Sequence, residues 1–209
     1  MQSESIVVID YGMGNLGSIA NMLKYLGANA VISADKTLIE KADKLILPGV
    51  GHFDRAMQNI NQLDLFNLIQ YKALDKQAPI MGICLGMQLL CNFSEEGNDK
   101  GLAIVDADVV KFNFEKSQKL KVPHMGWSNV EIAKSNSLIT KGLTEDARFY
   151  FVHSYYVKCN NESDILTRSL YGDSFISSFE KNNIVGVQFH PEKSHKYGIT
   201  LFRNFIENF

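Results

Sequence analysis

Pro79 to Leu90, PIMGICLGMQLL, is the stretch on which the reading of the fold turns. Ile80 to Ile83 is a short apolar run behind the breaker Ala78-Pro79 and reads as a strand, while Leu85 to about Phe93 reads as a helix. Cys84 sits between them with Gly82 and Gly86 two residues away on either side. G-x-C-x-G between a strand and a helix is the nucleophile-elbow pattern, with sulfur in place of the usual serine oxygen. So sharp a turn strains the backbone, and bulky side chains at i±2 would collide, which accounts for both glycines. The helix N-terminus brings partial positive charge to Cys84 and favours a thiolate, and the Leu85 amide is aimed as one oxyanion donor. The plainer fate of a free cysteine is burial as a small hydrophobe. That reading goes to Cys91 and Cys159, which have no such context.

Upstream of this stretch, strands and helices alternate. Ser5–Asp10 (SIVVID) is a β-branched run ending in the loop Tyr11-Gly12-Met13-Gly14. A helical stripe of Leu16, Ile19, Ala20, Leu23 and Leu26 follows and closes at Gly27. Ala30–Ser33 and Lys44–Leu47 read as further strands, and Phe53 to about Leu74 as one or two amphipathic helices. This alternation predicts an α/β fold: a mostly parallel central sheet with helices on both faces. Downstream of Gly97, strands are expected at 105–114, 129–133, 148–158, 165–169, 175–180 and 184–189 without long helices between them. They form an antiparallel or mixed extension of the same sheet, and a helix from about Gly198 to Asn208 ends the chain. With no repeats or linkers, residues 1–209 read as one domain.

Bulk properties narrow the function classes. A formal charge of −2 over 209 residues gives no reason to expect nucleic acid or an anionic membrane as partner. MQSESIVVIDYG has no basic leader region, and no stretch approaches the roughly 20 apolar residues of a membrane span, so a cytoplasmic protein is expected. Three cysteines without CxxC spacing argue against a disulfide framework or a structural zinc site. No metal or other cofactor is expected.

A cysteine nucleophile needs a base, and the base a group that fixes its tautomer. Ile184-Val-Gly-Val-Gln-Phe-His-Pro-Glu supplies both: His190 and Glu192, at i and i+2 of extended backbone, project to one side and can meet. His190 would take the Cys84 proton and give one to the leaving group. His52, His124, His153 and His195 compete on composition alone. Lys44-Leu-Ile-Leu-Pro-Gly-Val-Gly runs from a strand into a glycine loop whose amides suit an anion, a second oxyanion donor. Alone, PGVG is an ordinary tight turn. Gly12-Met13-Gly14 lacks the third glycine of a dinucleotide fingerprint and makes no nucleotide site.

LPGVG (Leu47–Gly51), GICLGMQLL (Gly82–Leu90) and GVQFHPEKS (Gly186–Ser194), in that order, closely resemble the class I, triad-type glutamine amidotransferases. The likeness covers essentially the whole chain. IDYGMGNLGSI, PGVGHF, PHMGW (Pro123–Trp127) and YFVHSY (Tyr150–Tyr155) narrow it to the glutaminase subunits of imidazole glycerol phosphate synthases. The resemblance implies a flavodoxin-like fold and a triad of Cys84, His190 and Glu192. It implies glutamine contacts from Gln88, Glu96, Ser154 and Tyr155, and an oxyanion amide from Val50-Gly51 after rearrangement, beside that of Leu85. It also implies a heterodimer with a (β/α)8-barrel cyclase subunit, towards which His124, Met125, Trp127 and Lys193 would lie along an ammonia passage. Each carried-over residue has a plainer role: Gln88 as a solvated helix residue, Ser154 and Tyr155 as strand residues, Trp127 as core filler.

Two positions depart from the histidine-pathway pattern: Gly17, where many members carry Arg, and Ser128, where many carry Asn. Both lie near the expected partner side. A similar group feeds ammonia to surface-polysaccharide sugars, and DYGMGNLGSI leans towards it. From another class, a cysteine peptidase-like hydrolase needs the elbow and a histidine but has no use for Gln88 or the HPE carboxylate. A binding module with a dead triad is disfavoured because Cys, His and Glu are all present.

Overall fold

The computed structural model describes residues 4–114 and 120–209. The first three residues, part of the 1–209 span and of the N-terminal stretch searched for a leader, lie outside the described residues.

Five strands form the parallel half. They are β1 (Ser5–Ile9), β2 (Asn29–Ser33), β3 (Lys44–Leu47), β4 (Ile80–Ile83) and β12 (Ile184–Val187), in the order β2-β1-β3-β4-β12. All but the edge strand β2 are buried on both faces over nearly their whole length, as in a covered parallel sheet. Val7, Ile9, Leu45 and Leu47 enter one core with α2 (Lys36–Lys41), α3 (Phe53–Gln62), α4 (Phe66–Gln70) and α5 (Leu85–Leu89). Ile6, Val8, Ile46 and Met81 enter the opposite core with α1 (Leu16–Tyr25) and α6 (His195–Asn208). The winding direction reverses between β1 and β3, the place where open α/β sheets open a ligand crevice at the carboxyl ends of their strands.

The expected extension is present, with a different plan. β11 (Asp173–Lys181) joins β12 antiparallel and carries β10 (Ile165–Tyr171), to which the two-residue β7 (Glu131–Ile132) is added. β9 (Tyr155–Cys159) pairs with β11 and with β5 (Ala107–Lys111). β6 (His124–Asn129) and β8 (Arg148–His153) form a separate two-stranded ribbon. The continuous strand expected at 148–158 is therefore two strands, broken at Ser154, that serve different sheets. The strand expected at 129–133 is the end of β6 followed by β7.

Two helices also differ from expectation. α5 stops at Leu89, because Asn92 N–H turns to Ala107 O and draws the chain towards β5. The short polar α2 was not foreseen, although Asp35 caps it by accepting from Leu38 N–H at 2.9 Å. No helix among the described residues is long and apolar enough to cross a membrane.

Candidate active site

Four adjacent parallel strands, β1, β3, β4 and β12, deliver their carboxyl ends to one edge, and each carries a piece of the site there. β4 delivers the elbow. Cys84 has φ +54° and ψ −110°, a strained conformation for a residue with a side chain, and heads α5. The glycines around it are sterically required. A Cβ on Gly86 would stand 1.8 Å from Leu47 O, and one on Gly82 would stand 2.7 Å from Gly86 O.

β12 delivers the base. His190 leaves the strand extended, and its N–H is held by Tyr150 O at 2.8 Å. Its Nδ1 meets Glu192 Oε1 at 2.8 Å, with side-chain exposures of only 1% and 0%. The pair meets for a reason other than i, i+2 alternation: Pro191–Lys193 is one turn of 3-10 helix with proline at its start, which folds Glu192 back under the imidazole. Burial works against a charged ring, but the Cys84 thiol and the Glu192 carboxylate outweigh it and raise the His190 pKa to about 10. Cys84 and His190 line the same cleft. Nε2 nevertheless makes no hydrogen bond of normal geometry among the described residues, and Glu192 Oε2 is likewise unpartnered. Such looseness is usual before substrate binds.

A cleft of about 290 Å³ opens over the thiol, bounded by Val50, Gly51, Cys84, Leu85, Gln88, Glu96, Val152, His153, Ser154, Tyr155 and His190. Among them are all the residues expected as nucleophile, base, oxyanion donors and glutamine contacts. Glu192 stands behind His190, outside the lining. Gln88 is buried and donates to Tyr155 O at 3.2 Å and Gln188 Oε1 at 3.0 Å. Glu96 accepts from Phe53 N–H at 2.9 Å, which fixes one oxygen at the start of α3. A larger cavity of about 720 Å³, beside Asn129, Leu143 and Arg168, contains none of these groups.

The ribbon β6–β8 supplies a second pair of histidines. His153 Nδ1 donates to Tyr155 O at 2.8 Å, so its Nε2 accepts from His124 Nδ1 at 3.2 Å, and His124 Nε2 accepts from Ser128 Oγ at 3.0 Å. Burial pushes His153 down to about 3, only partly offset by its bond to Tyr155, and His124 down to about 4. Met125 and Trp127 are exposed at 63% and 43%, and Lys193 is also exposed. His124, on the same ribbon, is buried.

Three residues escaped the sequence reading. Gln188 is fully buried and points Nε2 at Cys84 Sγ at 3.8 Å; a polar residue two before His190 in an apolar strand was its only signal. Asn15 Nδ2 donates to Glu192 Oε1 at 3.3 Å, and Tyr11 Oη donates to Pro48 O at 2.5 Å. Both lie in the glycine loop that suggested no nucleotide, and nothing local marks them. Among the described residues no group of three or more His, Cys, Asp or Glu could hold a metal ion.

Comparison with known proteins bears on this geometry. The family model for glutamine amidotransferase class-I matches residues 7–209. The imidazole glycerol phosphate synthase subunit HisH 2 of Methanococcus maripaludis is 52% identical over 97% of this chain and 98% of the relative. The protein of the same name from Pseudomonas aeruginosa is 48% identical over 97% and 98%. The crystal structure of a glutamine amidotransferase from Thermotoga maritima superposes with a TM-score of 0.69 over 99% of this chain and 98% of that one. At 16% identity that likeness speaks for the fold alone. An elbow cysteine, a buried His–Glu pair and a shared cleft, together with a match from residue 7 to the end, establish that the chain belongs to the class-I glutamine amidotransferases.

Proposed function

We propose that the chain is the glutaminase subunit of an imidazole glycerol phosphate synthase, one cytoplasmic amidotransferase domain that supplies ammonia to a cyclase subunit in histidine biosynthesis. The observation that carries the reading is a cysteine at a strained elbow sharing its cleft with a histidine that is hydrogen-bonded to a buried carboxylate. The names of relatives up to 52% identical over nearly the whole chain supply the pathway.

In this reading glutamine lies in the cleft with its carboxamide over Cys84. Gln88, Glu96, Ser154 and Tyr155 hold its amino-acid end. The Cys84 thiolate attacks the carboxamide carbon, and negative charge gathers on its oxygen. The Leu85 amide meets that charge together with an amide of Val50-Gly51. One such donor is typically worth about 3 kcal/mol in the transition state. His190 gives its proton to the nitrogen as the C–N bond breaks, leaving a glutamyl thioester and free ammonia. It then takes a proton from the water that cleaves the thioester to glutamate. Glu192 keeps the imidazole oriented and offsets its charge. Ammonia leaves past the ribbon, where exposed Met125 and Trp127, with Lys193, form the docking face for a (β/α)8-barrel partner.

A second reading keeps this chemistry and changes the acceptor to a sugar of surface polysaccharide. Gly17 favours it: it is exposed, and a Cβ there would meet nothing within 4 Å. The missing Arg is thus not a steric necessity. The test is ammonia release from glutamine by the chain alone and with the cyclase subunit. A large stimulation by the cyclase, lost in Cys84→Ala, is expected. Glutaminase activity that the cyclase leaves unchanged would favour the second acceptor, and no glutaminase activity in either state would refute the first reading.

A further inference from the structure

The glycine loop after β1 has no place in the chemistry above, yet it touches both halves of it. Tyr11, only 1% exposed, donates its hydroxyl to Pro48 O at 2.5 Å. Gly14, at φ +124°, packs so closely that a Cβ would stand 3.0 Å from Pro48 Cβ and 3.5 Å from Gly49 N. Met13 reaches the far end of the same turn, where its Cε would stand 2.6 Å from a Cβ on Gly51. Asn15, the last residue of the loop, turns the other way and donates to Glu192 Oε1 at 3.3 Å. The loop is itself tied down, by Gly12 N–H on Asp10 Oδ1 at 3.0 Å and by Asn59 Nδ2 on Tyr11 O at 3.0 Å.

We propose that Tyr11–Asn15 is a positioning bracket that fixes the Pro48–Gly51 oxyanion loop and the His190–Glu192 pair relative to one another. The proposal rests on the glutaminase reading. The oxyanion loop follows β3 and the base follows β12, with β4 between them in the sheet, so no strand pairing joins them directly. The bracket supplies that link through side chains. Its grip on Pro48 O also limits what can move. In a planar trans peptide the N–H points opposite to the C=O, so the Gly49 N–H is fixed facing away from Tyr11. The freedom to present an amide to the reacting oxygen is left to Val50 and Gly51. Gly49 cannot take a side chain in this arrangement: its Cβ would stand 2.7 Å from Tyr11 Oη and 2.8 Å from Gly86 N.

Tyr11→Phe and Asn15→Ala each remove one end of the bracket, and a double-mutant cycle tests whether the ends act together. Glutamine hydrolysis is measured with the synthase subunit present and expressed per mole of Cys84 alkylated, so that misfolded chain is not counted. Each variant is expected to lower kcat about 10-fold with KM within about twofold, and the double variant to lose about 10-fold in kcat, not the roughly 100-fold of independent contacts. A 100-fold loss, unchanged kcat in either single variant, or an effect confined to KM overturns the proposal. Asn15→Ser replaces Asn15→Ala if the latter does not fold. Hydrogen exchange on the free chain decides the bracket independently of activity. Asn15→Ala, which removes a side chain turned away from the oxyanion loop, is expected to speed exchange of the Val50 and Gly51 amides about threefold or more. Unchanged exchange there overturns the bracket. A wild-type complex that releases no ammonia sinks the glutaminase reading instead, and exchange still decides the bracket.

Discussion

Two groups of buried histidines flank the same cleft in opposite states. At the end of the parallel half, His190 is held charged, its pKa raised to about 10 against burial by Cys84 and Glu192. In the antiparallel ribbon, His153 and His124 are held neutral at about 3 and 4, with only each other, a serine and a backbone carbonyl as partners. The side-chain type is the same and the burial similar, so the difference lies in the partner. At His190 the Cys84 thiol and the Glu192 carboxylate outweigh the cost of burying a charged ring; beside neutral partners that cost keeps the ring uncharged. The parallel half thus carries the histidine proposed to move protons. The ribbon keeps its two buried histidines neutral.

The comparison breaks first at the nucleophile. Cys84→Ala removes the only thiol in the cleft and is expected to lower glutamine hydrolysis by about 10⁴-fold or more, measured as ammonia release with the partner present. Residual activity within tenfold of wild type would place the chemistry elsewhere. Glu192→Gln keeps the shape but removes the charge that holds the imidazolium. It should lower kcat about 100-fold and bring the alkaline limb of the kcat–pH profile down from near pH 10 towards neutrality. A profile that does not move would mean that the carboxylate does not set the state of His190.

Packing at the elbow gives a third expectation. Gly86→Ala forces a methyl group to 1.8 Å from Leu47 O and should destabilise the fold by about 3 kcal/mol or more, seen as a lost or early urea transition. Gly17→Ala meets open space on an exposed turn of α1 and should instead stabilise by about 0.5–1 kcal/mol.

The pH dependence of stability separates the two histidine groups by sign. The folded pKa of His190 lies above the ordinary 6.5, so its contribution is complete below about pH 6.5 and is lost as pH rises towards 10. Those of His153 and His124 lie below 6.5, so between about pH 3 and 6.5 the unfolded chain binds more protons than the native one. Their contribution is complete above 6.5 and drains as pH falls. Urea midpoints should therefore peak near neutrality. Glu192→Gln should flatten the alkaline arm only, and His124→Gln the acid arm only. Both arms flattening together in either variant would contradict the assignment.

Legibility in the sequence follows the same division. In the parallel half, the apolar run of β3 ends in Pro48-Gly49 and that of β4 in the elbow, so local chemistry marks them and the loops that bear the site, whereas β12, expected within the antiparallel or mixed extension, joins the parallel half by pairing with β4. In the antiparallel half, Arg148–Lys158 reads as one continuous aromatic and β-branched run, and its composition cannot reveal that Ser154 is where the chain changes partners. The separate ribbon was invisible for the same reason, since pairing is a long-range choice. The His190–Glu192 pair was legible and its cause was not: a 3-10 turn started by Pro191 does what extended backbone was expected to do. Asn15, Tyr11 and Gln188 were missed because their roles arise only when distant strand ends converge.

The most direct test of the central claim is to look for the covalent intermediate itself. Wild-type chain with its synthase partner is mixed with glutamine, quenched in acid within a turnover and digested for mass spectrometry. A glutamyl adduct is expected on the peptide that carries Cys84, absent in Cys84→Ser and formed more slowly in His190→Asn. Ammonia release by a chain whose Cys84 stays unmodified throughout, or an adduct on any other residue, would contradict the account.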